Sequence, residues 1–330
     1  MKLHNLKRQT AAVIGALCAM AMAHTAAQAA EYPTRPVNMV VPFAAGGPTD
    51  AVARSLGEAM REPLGQTVVV ENKGGAGGSI GTSLVARAKP DGYSILLMHI
   101  GFSTAPSLYK NPGYDPLKSF QPIGLVVDVP MTIIARSDFP ANTIQELVDY
   151  LKANPDKVSM ANAGIGAASH LCGTMLLNAL DIDLLTVPYS GTAPAMNDLL
   201  GKQVDIMCDQ TTNTTQHIKA GTVKAYAVTS KQRVPTLPDL PTMQESGFKD
   251  FEVGIWHGMW APKDTPKEIT DKLVNALQVG MADETFKKRM AGLGAAVLND
   301  EANPEALTKK VEQQVPQWAD LFKKSGVMPQ

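Results

Sequence analysis

The sequence predicts an α/β protein with mostly parallel sheets and helices on their faces. Three observations predict it. Short β-branched runs alternate with amphipathic helical stretches for most of the length. Glycine-rich turns recur where a strand-like run gives way to a helix, at PFAAGGPTD (42–50), NKGGAGGS (72–79) and NAGIGAASH (162–170). Two helices carry start signals: Thr143 with Glu146 forms a capping box, and Thr265-Pro266 with Glu268 supplies cap, first-turn proline and box. Folds of this class place ligands at the carboxyl ends of their strands.

The first 29 residues read as an export leader. Lys2, Lys7 and Arg8 form a basic start, residues 10–23 are mostly apolar, and Ala27-Gln28-Ala29 fits an A-x-A cleavage site. The apolar run is short and alanine-rich for a membrane span. Cys18 follows Leu17, and that bulky residue argues against lipoprotein processing. The expected product is exported and cleaved near Ala29. Removing the leader leaves 27 basic and 31 acidic residues, a net charge of −4. That mild acidity argues against a nucleic-acid footprint. The remaining ~300 residues suffice for two domains with real cores.

Strands are predicted over 37–41, 67–71, 94–98, 131–135, 157–161, 184–188, 204–208 and 223–229. Helices are predicted over 50–62, 79–88, 143–153, 168–180, 192–201, 266–282 and 304–323. Proline-rich stretches at 233–241 and 262–266 read as loops or crossings. Breaks near 128–131 and 250–254 divide the chain into a discontinuous first domain (30–130 and 252–330) and an inserted second domain (131–251). Cys172 and Cys208 remain after cleavage. They are a possible disulfide in an oxidising compartment or two buried thiols.

The turns carry the chemistry. In 42–50 a glycine pair brings main-chain amides close to a ligand, and the following helix aims its positive end at the same spot, which suits an anion. A side chain at Gly47 is expected to block that approach. Asp50 would repel an anion, so capping is its expected role. Gly77-x-Ser79-x-Gly81 matches the nucleophile-elbow pattern, but Ser79 stands several residues past its strand. It is read as capping a helix or lining the ligand site. Gly164-x-Gly166-x-x-Ser169 falls short of a dinucleotide fingerprint, so no cofactor is expected. Ser169 and His170 open a helix where hydroxyl, imidazole and amides can face a carboxylate. Tyr189 and the polar strand end Asp209-Gln210-Thr211-Thr212-Asn213 are further candidates to line the cleft, with capping and turn formation the alternative for 209–213, whereas Trp256, His257 and Trp260 read as core. The histidines show no metal spacing.

Taken in order, YPTRPVNMVVPFAAGGPTD (32–50), VVVENKGGAGGSIG (68–81), NAGIGAASH (162–170), VPYSGTAPAMNDLLGKQVD (187–205), VKAYAVTS (223–230) and PTLPDLPT (235–242) resemble the substrate-binding proteins of tripartite tricarboxylate transporters, the Bug proteins. The resemblance implies a two-lobed periplasmic binding protein of type II-like, Venus-flytrap form, with a ligand cleft between the domains. It implies a monomer that captures a small carboxylate and delivers it to a permease of one large and one small integral subunit. Di- and tricarboxylates, acidic amino acids and aromatic acids are the candidate ligands. Ligand contacts carried over by the resemblance are Phe43, Ala44, Gly47 and Thr49, then Gly164, Gly166, Ser169 and His170, with water bridging one carboxylate to main chain. The family's tyrosine motif often continues with Lys or Arg, whereas Ser190 follows Tyr189 here. Two other functions remain open at this level: a ligand-presenting sensor subunit for a membrane kinase, and a secreted serine hydrolase using Ser79.

Overall fold

The structure is a computed structural model that describes residues 32–324 and residue 329. The leader and its cleavage site lie outside the described residues. Among these residues no helix is long and apolar enough to cross a membrane.

Two sheets, each faced by helices, form two lobes. In the first, β1 (Val37–Val41) lies between β2 (Val68–Asn72) and β3 (Ser94–His99), parallel to both. These runs of Val, Ile, Leu and Met suit a doubly covered sheet, where both faces need apolar side chains. The direction then reverses. β4 (Phe120–Arg136) and, beyond the second lobe, β9 (Gly254–Pro262) follow; β9 pairs antiparallel with both β3 and β4. In the second sheet, β5 (Ser159–Asn162) lies between β6 (Leu185–Pro188) and β7 (Ile206–Gln210), parallel to both. β7 and β8 (Val223–Val228) then flank the far end of β4, antiparallel to it, while β10 (Ala296–Val297) pairs its first half. The sheets are therefore parallel only at their outer parts.

β4 links the lobes. It pairs with β9 as far as Pro130 and with β7 from Met131 onward. The sequence predicts a strand only over 131–135, because Pro122, Gly124 and Pro130 punctuate the first half. The strand accommodates the first two at a register shift between Pro122 and Gly124, since a bulge tolerates a residue that cannot donate. Thr229 stitches the second crossing. Its hydroxyl donates to the Val253 carbonyl (2.6 Å) and accepts from the Met131 amide (2.9 Å).

Several helices differ from the sequence expectation. Gly101–Leu108 and Thr211–Lys219 are helical despite Gly-Phe-Ser-Thr and Thr-Thr-Asn-Thr-Thr openings of low propensity. Tertiary burial overrides propensity: Phe102 is fully buried and stacks on Trp260 at 4.2 Å. Thr143 caps its helix by accepting from the Glu146 amide (3.1 Å). Thr265 does not cap the next one. Its hydroxyl donates to the Pro262 carbonyl (2.7 Å), and the helix begins at Lys267 with Pro266 in the cap position. In the second lobe, Ile134, Ala161, Met196, Leu199 and Met207 form one buried cluster.

Candidate functional site

The carboxyl ends of β1, β3, β5 and β7 converge on one small cavity between the lobes. Phe43, Gly47 and Thr49 reach it from the loop after β1, and His99 from the end of β3. The second lobe contributes Ser169 at the start of helix Ala168–Leu180, Thr192 at the start of helix Thr192–Leu200, and Asp209 and Gln210 at the end of β7. Only about 10 Å³ is open to the centre of a water-sized sphere, room for about one water. Among the described residues, no lysine or arginine lines it.

Two helix starts face this space. Pro48 opens helix Pro48–Ala59, and its first intrahelical bond runs from the Ala51 amide to the Gly47 carbonyl. The Thr49 and Asp50 amides precede that bond. In helix Ala168–Leu180 the first bond runs from Leu171 to Ala167, so the Ala168, Ser169 and His170 amides precede it. Such N–H groups and the helix dipole together favour an anion.

Asp50 is turned away from that role. Its carboxylate accepts from the Gly46 amide (2.9 Å), Arg54 Nε (2.8 Å) and Asn72 Nδ2 (2.9 Å). Burial raises its pKa, and these donors more than reverse the effect, so the carboxyl stays ionised and braces the loop. It does not cap the helix; Gly47 occupies the cap position. Gly47 itself has φ −85°, open to any residue, and an added Cβ would meet the Ala44 carbonyl oxygen at 3.5 Å, an ordinary contact. The expectation that any side chain there blocks the turn is therefore not required by this geometry.

Two neutral histidines support the first-lobe wall. His257, read from the sequence as core, is fully buried, and its Nδ1–H donates to the Ile255 carbonyl (3.1 Å). That tautomer leaves Nε2 to accept from the Thr49 hydroxyl (3.3 Å). Burial depresses the His257 pKa to about 4, only partly offset by the Ile255 bond. His99 was missed by the sequence reasoning, although its place at the carboxyl end of a strand was a usable signal. Its Nδ1 accepts from the Gly101 amide (3.1 Å), so the neutral ring carries its proton on Nε2, and the ring stacks on Phe43 at 4.7 Å. Burial and the neighbouring His257 hold its pKa well below the ordinary value.

The second-lobe wall is rich in acceptors. Asp209 is completely buried, and burial pushes its carboxyl up to about 6 against the bonds from Asn213 Nδ2 (2.6 Å) and the Gln210 amide (2.8 Å). Gln210 Oε1 is buried with no hydrogen-bond partner among the described residues. Thr192 Oγ1 also lacks a partner in direct geometry, although it is close enough to Asp209 to favour the ionised acid. Gln210 belongs to the polar strand end that the sequence offered as cleft lining, whereas Thr192 was not singled out, because a hydroxyl at a helix start usually serves as a cap. Ser169 Oγ accepts from the Ala163 amide (2.8 Å), leaving its own proton free to face the cavity.

The other sequence candidates sit elsewhere. Ala44 gives its amide to the Ser190 carbonyl (3.1 Å), and Gly164 gives its amide to Asn162 Oδ1 (2.8 Å). The Gly166 carbonyl accepts from Thr104 (3.1 Å), and the His170 ring accepts weakly from the Gly166 amide (3.4 Å). The Tyr189 hydroxyl donates to Asp198 (2.7 Å), and desolvation with that carboxylate pushes its pKa up to about 12. Ser79 Oγ is buried, makes no hydrogen bond and is not on the cavity wall. Cys172 and Cys208 are joined as a disulfide with Cα atoms 6.0 Å apart. The bridge ties helix Ala168–Leu180 to β7, so two cavity-lining elements are covalently linked.

Comparison with known proteins places this geometry in context. Residues 52–327 match the family model described as the tripartite tricarboxylate transporter family receptor. A protein of the TAR-I ttuE-ttuC' intergenic region of Agrobacterium vitis is 49% identical, over 89% of this chain and 86% of its own. Among solved structures, the periplasmic binding protein BugD is 77% identical with a TM-score of 0.90, over 91% of this chain and 100% of its own. MatC from Rhodopseudomonas palustris, solved with bound malate, is 38% identical with a TM-score of 0.84, over 88% of this chain and 99% of its own.

Proposed function

The chain belongs to the tripartite tricarboxylate transporter receptor family, periplasmic solute-binding proteins of Venus-flytrap form, and from that premise we propose that it captures a small carboxylate bearing an ammonium group, an acidic amino acid, for delivery to a permease. One observation carries this reading: the cavity is polarised. Helix-start amides from both lobes offer donors to carboxylates, while the buried Asp209 carboxyl and the unpartnered Gln210 oxygen offer acceptors and no cation. A plain diacid would leave the acceptor side unsatisfied, at roughly 1–3 kcal/mol for each buried group. The malate bound to MatC supports a four-carbon diacid skeleton as the ligand class, one that the small cavity admits only once its lining side chains move apart. Several charge-assisted bonds of about 1.5–3 kcal/mol each can supply the roughly 8 kcal/mol of micromolar binding without an arginine.

The lobes of this reading comprise residues 30–130 with 252–330, and 131–251. The change of partner at Pro130–Met131 and the Thr229–Val253 stitch support hinges at those crossings. Export with removal of residues 1–29 and a permease of one large and one small subunit belong to the same proposal. The protein is expected not to turn its ligand over, because the Ser79 hydroxyl has no base to activate it. A calorimetric comparison of L-aspartate, succinate and succinamide tests the reading. L-Aspartate should bind tightest and the diamide not at all. Equal binding of acid and diamide refutes the anion site, and equal binding of L-aspartate and succinate refutes the ammonium contact.

A further inference from the structure

The second glycine turn, 74–78, does not line the cavity, yet it meets the other lobe backbone to backbone. Gly77 has φ +58°, and an added Cβ would overlap the Ile165 carbonyl oxygen. On the facing loop, Gly164 has φ +96°, and an added Cβ would lie 2.9 Å from the Gly77 amide nitrogen. A Cβ at either position therefore meets main chain, which cannot rotate aside. Hydrogen bonds flank this contact on both sides. Tyr109 donates its hydroxyl to the Ile165 carbonyl (2.8 Å), Thr104 to the Gly166 carbonyl (3.1 Å), and the Ala44 amide to the Ser190 carbonyl (3.1 Å). Each joins a group from the first lobe to one from the second.

We propose that this seam is the closing latch of the protein, with Gly77 and Tyr109 as positioning residues that control ligand retention without touching ligand. The loop it grips, 164–167, runs directly into helix Ala168–Leu180, whose first turn faces the cavity. Closing the seam therefore sets the helix-start amides against the opposite wall. With the seam made, the walls meet over a cavity smaller than L-aspartate, so a solute passes in or out only when the seam parts, and lining side chains such as Phe43 and Gln210 must turn outward to hold one behind it. The sequence signal was misleading in an instructive way: Gly-rich turns suggest an anion cradle, but this one serves contact between two protein backbones.

The inference rests on the receptor reading for its effect on ligand, and the experiment separates the two. Hydrogen exchange at the Ala44 amide reports the seam directly, with or without 10 mM L-aspartate as probe. Gly77→Ala should remove Ala44 protection and speed L-aspartate release at least tenfold. Tyr109→Phe removes one neutral hydrogen bond and should speed release about fivefold. Gly65→Ala is the control: it has a similar φ of +68° but nothing within 4 Å of an added Cβ, so it carries the backbone strain without the clash. It should lower the thermal midpoint while leaving exchange and release unchanged. If Gly77→Ala does not fold, Tyr109→Phe alone decides by the same two readouts. Retained Ala44 protection in Gly77→Ala, unchanged release in Tyr109→Phe, or an Ala44 amide unprotected in the wild type under both conditions overturns the latch. Normal seam exchange with no L-aspartate binding counts against the proposed ligand and leaves the latch standing.

Discussion

Replacing Asp209 with asparagine should separate stability from binding. The carboxyl is completely buried and its pKa stands at about 6 against an ordinary 3.8. The folded state thus holds the proton more tightly than the unfolded chain. Stability from this group is fully present below pH 3.8 and is lost as pH rises through about 6. At about 1.4 kcal/mol per pH unit the loss is on the order of 3 kcal/mol at neutral pH. The Asp209→Asn substitution removes that loss. It also places an amide where Asn213 Nδ2 now donates at 2.6 Å, which forces Asn213 to turn or leaves a bond unmade, at about 1 kcal/mol. The variant should therefore be about 1–2 kcal/mol more stable than wild type at pH 7.5, and no more stable at pH 4. Binding of an ammonium-bearing acid should fall at least tenfold, because the acceptor loses its charge. Urea unfolding across pH 4–8 with calorimetry at pH 7.5 measures both effects. An Asp209→Asn variant less stable than wild type at pH 7.5, or one that keeps the wild-type pH slope, refutes the buried-charge argument. Unchanged L-aspartate affinity refutes the ligand contact.

Other perturbations have defined outcomes. Ser79→Ala should change stability by less than about 1 kcal/mol, since the buried hydroxyl has no partner to lose, and should leave ligand affinity unchanged in the same titration. Loss of an esterase activity with that variant would favour an enzyme instead. Reducing the Cys172–Cys208 bridge opens a 36-residue loop and should cost about 2–4 kcal/mol, read as a lower urea midpoint with dithiothreitol. His257 works in the opposite sense to Asp209. Its pKa falls from 6.5 to about 4, so its contribution is complete above pH 6.5 and lost as pH falls through 4, on the order of 3 kcal/mol. His257→Gln should remove this acid-side slope from thermal melts; an unchanged slope would place the titrating group elsewhere.

Local patterning was enough to reveal most of the strands and the first and third glycine turns. Apolar alternation and capping are properties of neighbouring residues, so 37–41, 94–98 and 168–180 are legible as elements in the sequence. The family was legible too, because an ordered set of motifs is specific where each alone is weak. The same holds for placing Phe43, Gly47, Thr49, Ser169 and Asp209 at strand and helix ends, where folds of this class gather their ligand contacts.

What the tertiary structure decided was the direction each polar group faces. Nothing local distinguishes Tyr189, whose hydroxyl is taken by Asp198, from Thr192, whose hydroxyl is left without a partner beside the cavity. The helices Gly101–Leu108 and Thr211–Lys219 form against their own propensities because burial outweighs a few tenths of a kcal/mol per residue. His99 becomes a wall residue only because the Gly101 amide fixes its tautomer and Phe43 its plane. The glycines divide in the same way: the sequence marks every turn as permissive, but only the closed lobes show that Gly77 meets the backbone around Ile165. A hydrogen bond or a clash belongs to two groups at once, and pairs such as Phe43 with His99 or Gly77 with Ile165 are brought together from segments dozens of residues apart.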